Sequence, residues 1–201
     1  MQPSQDYYDL IDSYKKLHEQ EGKFKGISLI PLVPTLMKIV KDNDCKTLLD
    51  YGCGKAIPYD KERCREVDLR NPIQELCSLE SFDLYDPAYE KYATLPDKKY
   101  DIVVCTDVLE HIAEQDLDYV LTQILSRSNK VVFLNICCKP ALKHFKEGKF
   151  KGKNVHISLF EPDWWGHKIG NIWNNFNHTK VYTVCNAKQG NHVTCIKKEK
   201  E

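Results

Sequence analysis

The sequence has no excess of either charge and no long apolar segment. Among its 201 residues, lysine plus arginine and aspartate plus glutamate both number 29, so no overall field favours a nucleic acid or a membrane surface. No apolar run approaches the roughly 20 residues of a membrane-spanning helix, and the polar, acidic N-terminus is unlike a secretory signal. We therefore expect one ordinary globular domain without a membrane partner.

The sequence also lacks a Cys-x-x-Cys pair, although it contains nine cysteines. Several of them, such as Cys105 and Cys137, lie inside apolar runs, where cysteine packs as a small hydrophobic residue. Neither a zinc site nor a disulfide framework is therefore expected. A reducing cytoplasm is the expected location of such a chain.

Hydrophobic periodicity predicts alternating helices and strands. Helical spacing over residues 7–18 predicts an amphipathic N-terminal helix that ends near Gly22, and a second helix is expected from about residue 31 to residue 40. Apolar runs typical of parallel sheets predict buried strands, and Lys188-Gln189-Gly190-Asn191 predicts a closing hairpin. The predicted strands cover residues 47–51, 100–106, 130–136, 180–186 and 192–197, and the later helices carry residues 117–125 and 163–176. This order predicts an α/β protein with a mostly parallel sheet and an antiparallel edge.

The segment Asp50-x-Gly52-x-Gly54 follows the first predicted strand. Glycine at such a turn lets a ligand approach the backbone, and a helix after the turn would offer unpaired amides to a polar ligand. A plain strand-to-helix connection has the same pattern. A dinucleotide fingerprint would need a third glycine where Ile57 stands, so an NAD-dependent oxidoreductase is the weaker alternative.

A second motif, Thr106-Asp107-Val108-Leu109-Glu110-His111-Ile112, follows the strand at residues 100–106. Together with the glycine turn and the closing hairpin, it resembles class I S-adenosylmethionine-dependent methyltransferases from about Thr47 onward. The resemblance implies a Rossmann-like three-layer α/β/α sandwich with a seven-stranded sheet. Residues 45–201 would form this core, and residues 1–44 would form a helical cap over the cofactor site.

The resemblance also implies roles for the residues of the two motifs. Gly52 and Gly54 would approach the amino-acid end of the cofactor, and Asp50 would help to orient that end. Thr106 and Asp107, at the end of the later strand, are expected beside the cofactor as well. The cofactor would be S-adenosylmethionine and the product S-adenosylhomocysteine.

A nucleoside ligand needs an acid after the second strand to bind the ribose hydroxyls. Asp86 ends the run Phe82-Asp83-Leu84-Tyr85, and Asp68 ends a less apolar run, so Asp86 is the preferred candidate and Asp68 the alternative. With Asp86 in this role, residues 92–96 would form a short third strand, and Leu95 would line the adenine pocket.

Three side chains are candidates for catalysis: Asp107, His111 and the later His156. Each could orient an acceptor or take its proton, whereas Asp107 could also merely cap a helix whose N-terminal amides Glu110 contacts. A metal is not expected. The alternative is a divalent cation held by Asp107, Glu110, His111 and His156, because this set is similar to that of small-RNA 3′-end 2′-O-methyltransferases.

A lysine-rich segment covers residues 139–153 and contains a single acid, Glu147. It is either a solvated loop or a lid that attracts phosphate or carboxylate. The acceptor of the methyl group is therefore expected to be a small molecule, with an RNA end as the second possibility. The alternative to an enzyme is a non-catalytic protein of the same fold that only binds the cofactor.

Overall fold

The computed structural model describes residues 2–20, 22–176 and 178–198. The described chain forms a mixed α/β fold whose helices and strands agree closely with the predicted order. Short 3-10 turns occupy many of the links between them. The helices are α1 (Gln5–His18), α2 (Val33–Asp42), α3 (Ile73–Leu76), α4 (Leu117–Ser126) and α5 (Pro162–Trp173), and the strands are β1 (Thr47–Tyr51), β2 (Ser81–Tyr85), β3 (Tyr100–Thr106), β4 (Ser128–Cys137), β5 (Lys180–Ala187) and β6 (Gly190–Ile196).

The sheet has the strand order β2-β1-β3-β4-β5-β6, and every pairing is parallel except the hairpin of β5 and β6. The described residues therefore form six strands, and the predicted number of seven is wrong. The missing strand is the one expected at residues 92–96, where a 3-10 turn at Glu90–Tyr92 leads into irregular backbone. The link between β2 and β3 is too short for a further parallel strand and its crossover.

Helices cover both faces of the sheet. On one face, α4 and α5 pack through residues such as Leu121 and Trp165 against the apolar side chains of β3, β4 and β5. On the other face, α2 packs through Leu36 and Ile39 together with the irregular segment between β1 and β2. These two apolar layers give the expected three-layer arrangement.

The helix expected after the glycine turn is absent from the segment between β1 and β2. Residues 52–80 instead contain two 3-10 turns and the four-residue α3. Ala56 and Asp68 adopt positive φ values of 50° and 62°, and Pro58 and Pro72 remove backbone donors. These features interrupt a regular helix.

Helix α1 lies across the carboxyl edge of the sheet and is fixed at its start. The backbone amide and the hydroxyl of Ser4 both donate to the buried Asp116 at 2.7 Å. Lys149 forms ion pairs with Asp6 and Asp9 on the helix.

The proposed boundary at residues 44/45 stays a prediction, since α2 on its N-terminal side packs on the sheet. In the described ranges, no helix combines the length and apolar character needed to cross a membrane.

Candidate active site

The carboxyl ends of β1, β2 and β3 border a cavity of about 380 Å³. Ligands bind at this edge in open α/β sheets, and the volume lies within the range of small-ligand sites. Helix α1 and residues 22–28 close the cavity from the side opposite the strands. The cavity is lined from the sheet by Gly52, Gly54, Asp86, Pro87, Ala88, Thr106, Asp107, Val108, His111 and Ile112, and from the cover by Tyr7, Leu10, Ile11, Tyr14, His18, residues 22–28 and Lys143.

The glycine turn is held tightly by the rest of the protein. Gly52 and Gly54 have φ values of 90° and 58°, and a Cβ on Gly54 would lie 2.6 Å from the Phe24 carbonyl oxygen. Both the Gly52 and Cys53 amides donate to the Tyr85 carbonyl, and the Gly54 amide donates to Asp86. The amides of the turn are therefore paired within the protein, and the helix that was expected to offer unpaired amides after it is absent. Its glycines are needed for close packing in a left-handed conformation.

Asp86 directly follows β2 and is buried at the cavity wall. Its two carboxylate oxygens each accept a backbone amide at 2.9 Å, one from Gly54 and one from Ala88. His18 Nε2 lies 3.8 Å from the same carboxylate. Burial raises the pKa of Asp86 and lowers the pKa of His18, and each group opposes the shift of the other. The alternative residue Asp68 is exposed and does not line the cavity.

Asp50 is buried beneath the turn and does not line the cavity. Burial raises the pKa of its carboxyl to about 7, and the neighbouring Asp86 adds to the rise. Both acids lie at the ends of adjacent strands, so a negative charge on Asp86 makes ionisation of Asp50 less favourable. A bound cation would favour ionisation of both.

Asp107 begins the motif after β3 with a positive φ of 54°. Its carboxylate accepts a hydrogen bond of 2.7 Å from the Asn135 amide, and Asn135 in turn accepts one of 2.8 Å from Asn186. Burial raises the pKa of Asp107. Its side chain caps no helix, since α4 begins only at Leu117, so the predicted capping role is wrong.

His111 lines the cavity from the 3-10 turn at Leu109–His111, and hydrogen bonds to other parts of the chain hold its ring. Its Nδ1 lies 2.9 Å from the Val155 carbonyl oxygen and 2.7 Å from the Tyr14 hydroxyl. A carbonyl can only accept, so the contact with Val155 requires the proton on Nδ1 and leaves the lone pair on Nε2. Burial lowers the pKa of His111 to about 4, which keeps the ring neutral at pH 7.

A group of possible metal ligands lies next to His111, whose ring centre is 4.7 Å from that of His156. This group differs from the set of four ligands considered from the sequence. Glu110, Cys137 and His156 each bring one ligand atom within 4.8 Å of the others. Glu110 is fully buried, accepts the Cys137 amide at 2.9 Å and has a pKa raised well above its usual range by burial. Asp107 and His111 are not part of this group.

The structure brings most of the predicted site residues together. Gly52, Gly54, Asp86, Thr106, Asp107 and His111 share the cavity. Asp50, Leu95 and His156 lie outside it: Leu95 packs against the apolar layer of α4 and α5, and His156 donates from Nδ1 to the Lys139 carbonyl at 2.6 Å. The sequence carried no indication of a site role for Tyr14, which contacts His111, or for Ser28, which forms a side-chain hydrogen bond with Asp107. The two glycines of the link after α1, Gly22 and Gly26, are the sequence signal that marked this segment as irregular.

A parallel sheet with a ligand-sized cavity at its carboxyl edge, a glycine turn after β1 and an acid after β2 defines a Rossmann-like α/β protein. Residues 29–167 match a family model described as a methyltransferase domain. This match covers more than half of the chain, so the protein belongs to this methyltransferase family. It is an enzyme of the class I S-adenosylmethionine-dependent methyltransferase type.

The chain is also similar to a curated protein, the ubiquinone biosynthesis O-methyltransferase of Hydrogenovibrio crunogenus (strain DSM 25203 / XCL-2). The two sequences are 27% identical over 108 residues, which cover 48% of this chain and 45% of the relative. The chain therefore matches less than half of that relative's length.

Proposed function

We propose that this enzyme transfers the methyl group of S-adenosylmethionine to a hydroxyl of a small-molecule acceptor and releases S-adenosylhomocysteine. One observation carries the proposal: the same small cavity is lined by the glycine turn with Asp86, which we call the cofactor end, and by His111, which we call the acceptor end. The first end is suited to the cofactor and the second to the acceptor.

The residues around Asp86 fit the nucleoside part of the cofactor. Each carboxylate oxygen uses one lone pair on a backbone amide and keeps another, so both can accept a ribose hydroxyl. Asp107, which lines the cavity, suits a positively charged group of the cofactor, and the ionised form of the buried Asp50 would add negative potential beneath the turn. When bound, the cofactor would supply a methyl group on a sulfonium that is open to in-line displacement.

His111 is placed to act on the acceptor hydroxyl. Its Nε2 carries the lone pair, and its ring is fixed by Val155 and Tyr14. The neutral ring would orient the hydroxyl by accepting its hydrogen bond and would take its proton as the oxygen forms its bond to the methyl carbon. The O-methyltransferase name of the curated relative supports oxygen as the acceptor atom.

Calorimetry with S-adenosylhomocysteine tests the cofactor end, using Asp86→Asn and its matched control Asp68→Asn. Loss of a charge-assisted hydrogen bond should weaken binding to Asp86→Asn by about 1–3 kcal/mol. The exposed Asp68 should make no difference when it is replaced. Unchanged affinity in Asp86→Asn with a loss in Asp68→Asn would contradict the assignment of Asp86 to the ribose. Tight binding of NAD, without binding of S-adenosylmethionine or S-adenosylhomocysteine, would contradict the choice of cofactor.

The acceptor end is tested by a screen for S-adenosylhomocysteine release with hydroxyl, amine, thiol and carboxylate acceptors and with short RNA. Turnover on a small hydroxyl compound supports the proposal, and turnover only on an RNA end would contradict the small-molecule acceptor. Cofactor binding without release on any class would favour a non-catalytic protein.

We also propose a reducing cytoplasm as the location, because all nine cysteines are free.

A further inference from the structure

Two lysines from distant parts of the chain lie together at the cavity. Lys23 follows α1, Lys143 follows β4, and both line the cavity wall. Burial lowers the pKa of Lys143, and the adjacent Lys23 lowers it further. Lys23 is half-buried and Lys143 is exposed. Two like charges that approach each other repel, so an anion between them would be favoured.

The acids of the cavity do not neutralise this pair. Asp86 is bound by the amides of Gly54 and Ala88, and Asp107 is bound by Asn135. Among the described residues, the ion pairs include neither Lys23 nor Lys143. The two ammonium groups are therefore available to a ligand.

The loop that carries Lys143 is ordered by its own contacts. The Asn154 side chain accepts the Ala141 amide at 3.0 Å and donates to the Ala141 carbonyl at 2.8 Å. Phe145 and Phe150 pack against Leu10 of α1. Lys143 thus lines the cavity from a loop whose two phenylalanines are buried and whose other side chains are mostly exposed.

The backbone of Lys143 is linked to His111 through Val155. The Val155 amide donates to the Lys143 carbonyl at 3.2 Å, and the Val155 carbonyl accepts the contact from His111 Nδ1 at 2.9 Å. One residue therefore joins the backbone of Lys143 to the ring of His111. The loop that carries Lys143 therefore also fixes the ring of His111, and both residues line the same cavity.

We infer that Lys23 and Lys143 form an anion subsite that binds a carboxylate or phosphate group of the small-molecule acceptor while its hydroxyl lies at His111. This inference rests on the proposed function. It makes the acceptor an anionic hydroxyl compound, and it assigns to the lysine-rich loop a role in selecting that compound.

Calorimetric titration of the full chain, saturated with S-adenosylhomocysteine, tests the subsite. The probes are 3,4-dihydroxybenzoate, its uncharged methyl ester and inorganic phosphate. At least one of the two anions should bind wild type more tightly than the ester does, and the affinity should fall as salt is added. The double variant Lys23→Gln/Lys143→Gln should lose about tenfold or more in affinity for that anion, whereas the control Lys146→Gln, an exposed residue of the same loop outside the cavity, should not.

Four results would overturn the inference. The first is that neither anion binds the saturated wild type, and the second is that the double variant binds the anion as well as wild type does. The third is a loss of S-adenosylhomocysteine affinity in the double variant, which would assign the lysines to the carboxylate of the cofactor. Tighter binding of a single-stranded RNA than of either small anion, lost in the double variant, would reject the small-molecule class. Failure of wild type to bind S-adenosylhomocysteine at all would contradict the proposed function, which separates the two failures.

Discussion

The two ends of the cavity are built in different ways. At the cofactor end, Gly52, Gly54 and Asp86 are held by backbone hydrogen bonds within and between the first two strand ends. At the acceptor end, His111 is held by side-chain and loop contacts with Tyr14 and Val155, which lie about a hundred and about forty residues away in the chain. The first end depends on local backbone geometry and the second on long-range packing.

Because of this difference, the two ends should tolerate different substitutions. A turn made of close backbone contacts has no room for an added atom, because main chain cannot move aside as a side chain can. An acceptor end made of side chains can be altered one hydrogen bond at a time. An added atom at the cofactor turn should therefore destabilise the fold strongly, whereas the loss of one hydrogen bond at the acceptor end should cost little stability and should lower turnover.

The largest effect is expected from Gly54→Ala compared with Gly152→Ala. Both glycines have positive φ, at 58° and 81°, so both variants incur left-handed strain of about 1–2 kcal/mol. A Cβ at Gly54 would also lie 2.6 Å from the Phe24 carbonyl oxygen, whereas nothing lies within 4 Å at Gly152. Overpacking should add about 1–3 kcal/mol at Gly54 alone, measured as the free energy of unfolding in urea.

Equal destabilisation of the two variants would show that the cofactor turn is no more constrained than an open surface loop. The contrast between the ends of the cavity would then fail. Measuring S-adenosylhomocysteine affinity in the same samples adds a second comparison, since Gly54→Ala should also bind more weakly.

The second prediction concerns the pH dependence of stability, which should have opposite signs at the two ends. The pKa of Asp50 is about 7 in the folded protein, above its ordinary value of 3.8, so the native state keeps a proton that the unfolded chain loses. Its contribution to stability therefore falls as pH rises from about 4 to 7. The pKa of His111 is about 4, below its ordinary 6.5, so its contribution is present above pH 6.5 and is lost as pH falls toward 4.

Urea unfolding of Asp50→Asn and His111→Gln between pH 4 and pH 7 measures both contributions. Relative to wild type, Asp50→Asn should gain stability with rising pH by roughly 3–4 kcal/mol over the window, and His111→Gln should lose roughly 3 kcal/mol. Parallel profiles for wild type and either variant would show that the group is ionised alike in the folded and unfolded chain.

The sequence predicted the cofactor end better than the acceptor end for the same physical reason. The bounds of β1 and β3 were predicted to the residue, and Asp86 was placed at the end of β2, because apolar runs and turn residues are local signals. The helix after the turn was wrongly expected, since the left-handed residues Ala56 and Asp68 have no distinctive side chains. His111 was found by its motif, but its partner Tyr14 was not, because a contact across 97 positions leaves no pattern in one sequence.

The smallest effect is expected from Tyr14→Phe, which tests how the acceptor end is held. The variant loses the hydroxyl that donates to the Val155 carbonyl at 3.0 Å and contacts His111 Nδ1 at 2.7 Å, so stability should fall by about 1 kcal/mol. Tyr119→Phe is the matched control, because its hydroxyl also makes a side-chain hydrogen bond, which it accepts from Gln123 away from the cavity.

The two tyrosine variants should differ in turnover and not in cofactor affinity. Without the Tyr14 hydroxyl, Nδ1 of His111 keeps only its bond to Val155, and the ring can rotate away from the acceptor. We expect a lower rate of S-adenosylhomocysteine release in Tyr14→Phe with unchanged S-adenosylhomocysteine binding, and wild-type values of both in Tyr119→Phe. If Tyr14→Phe instead weakened cofactor binding and left the rate unaltered, Tyr14 would belong to the cofactor end, and the division of the cavity into two differently built ends would have to be redrawn.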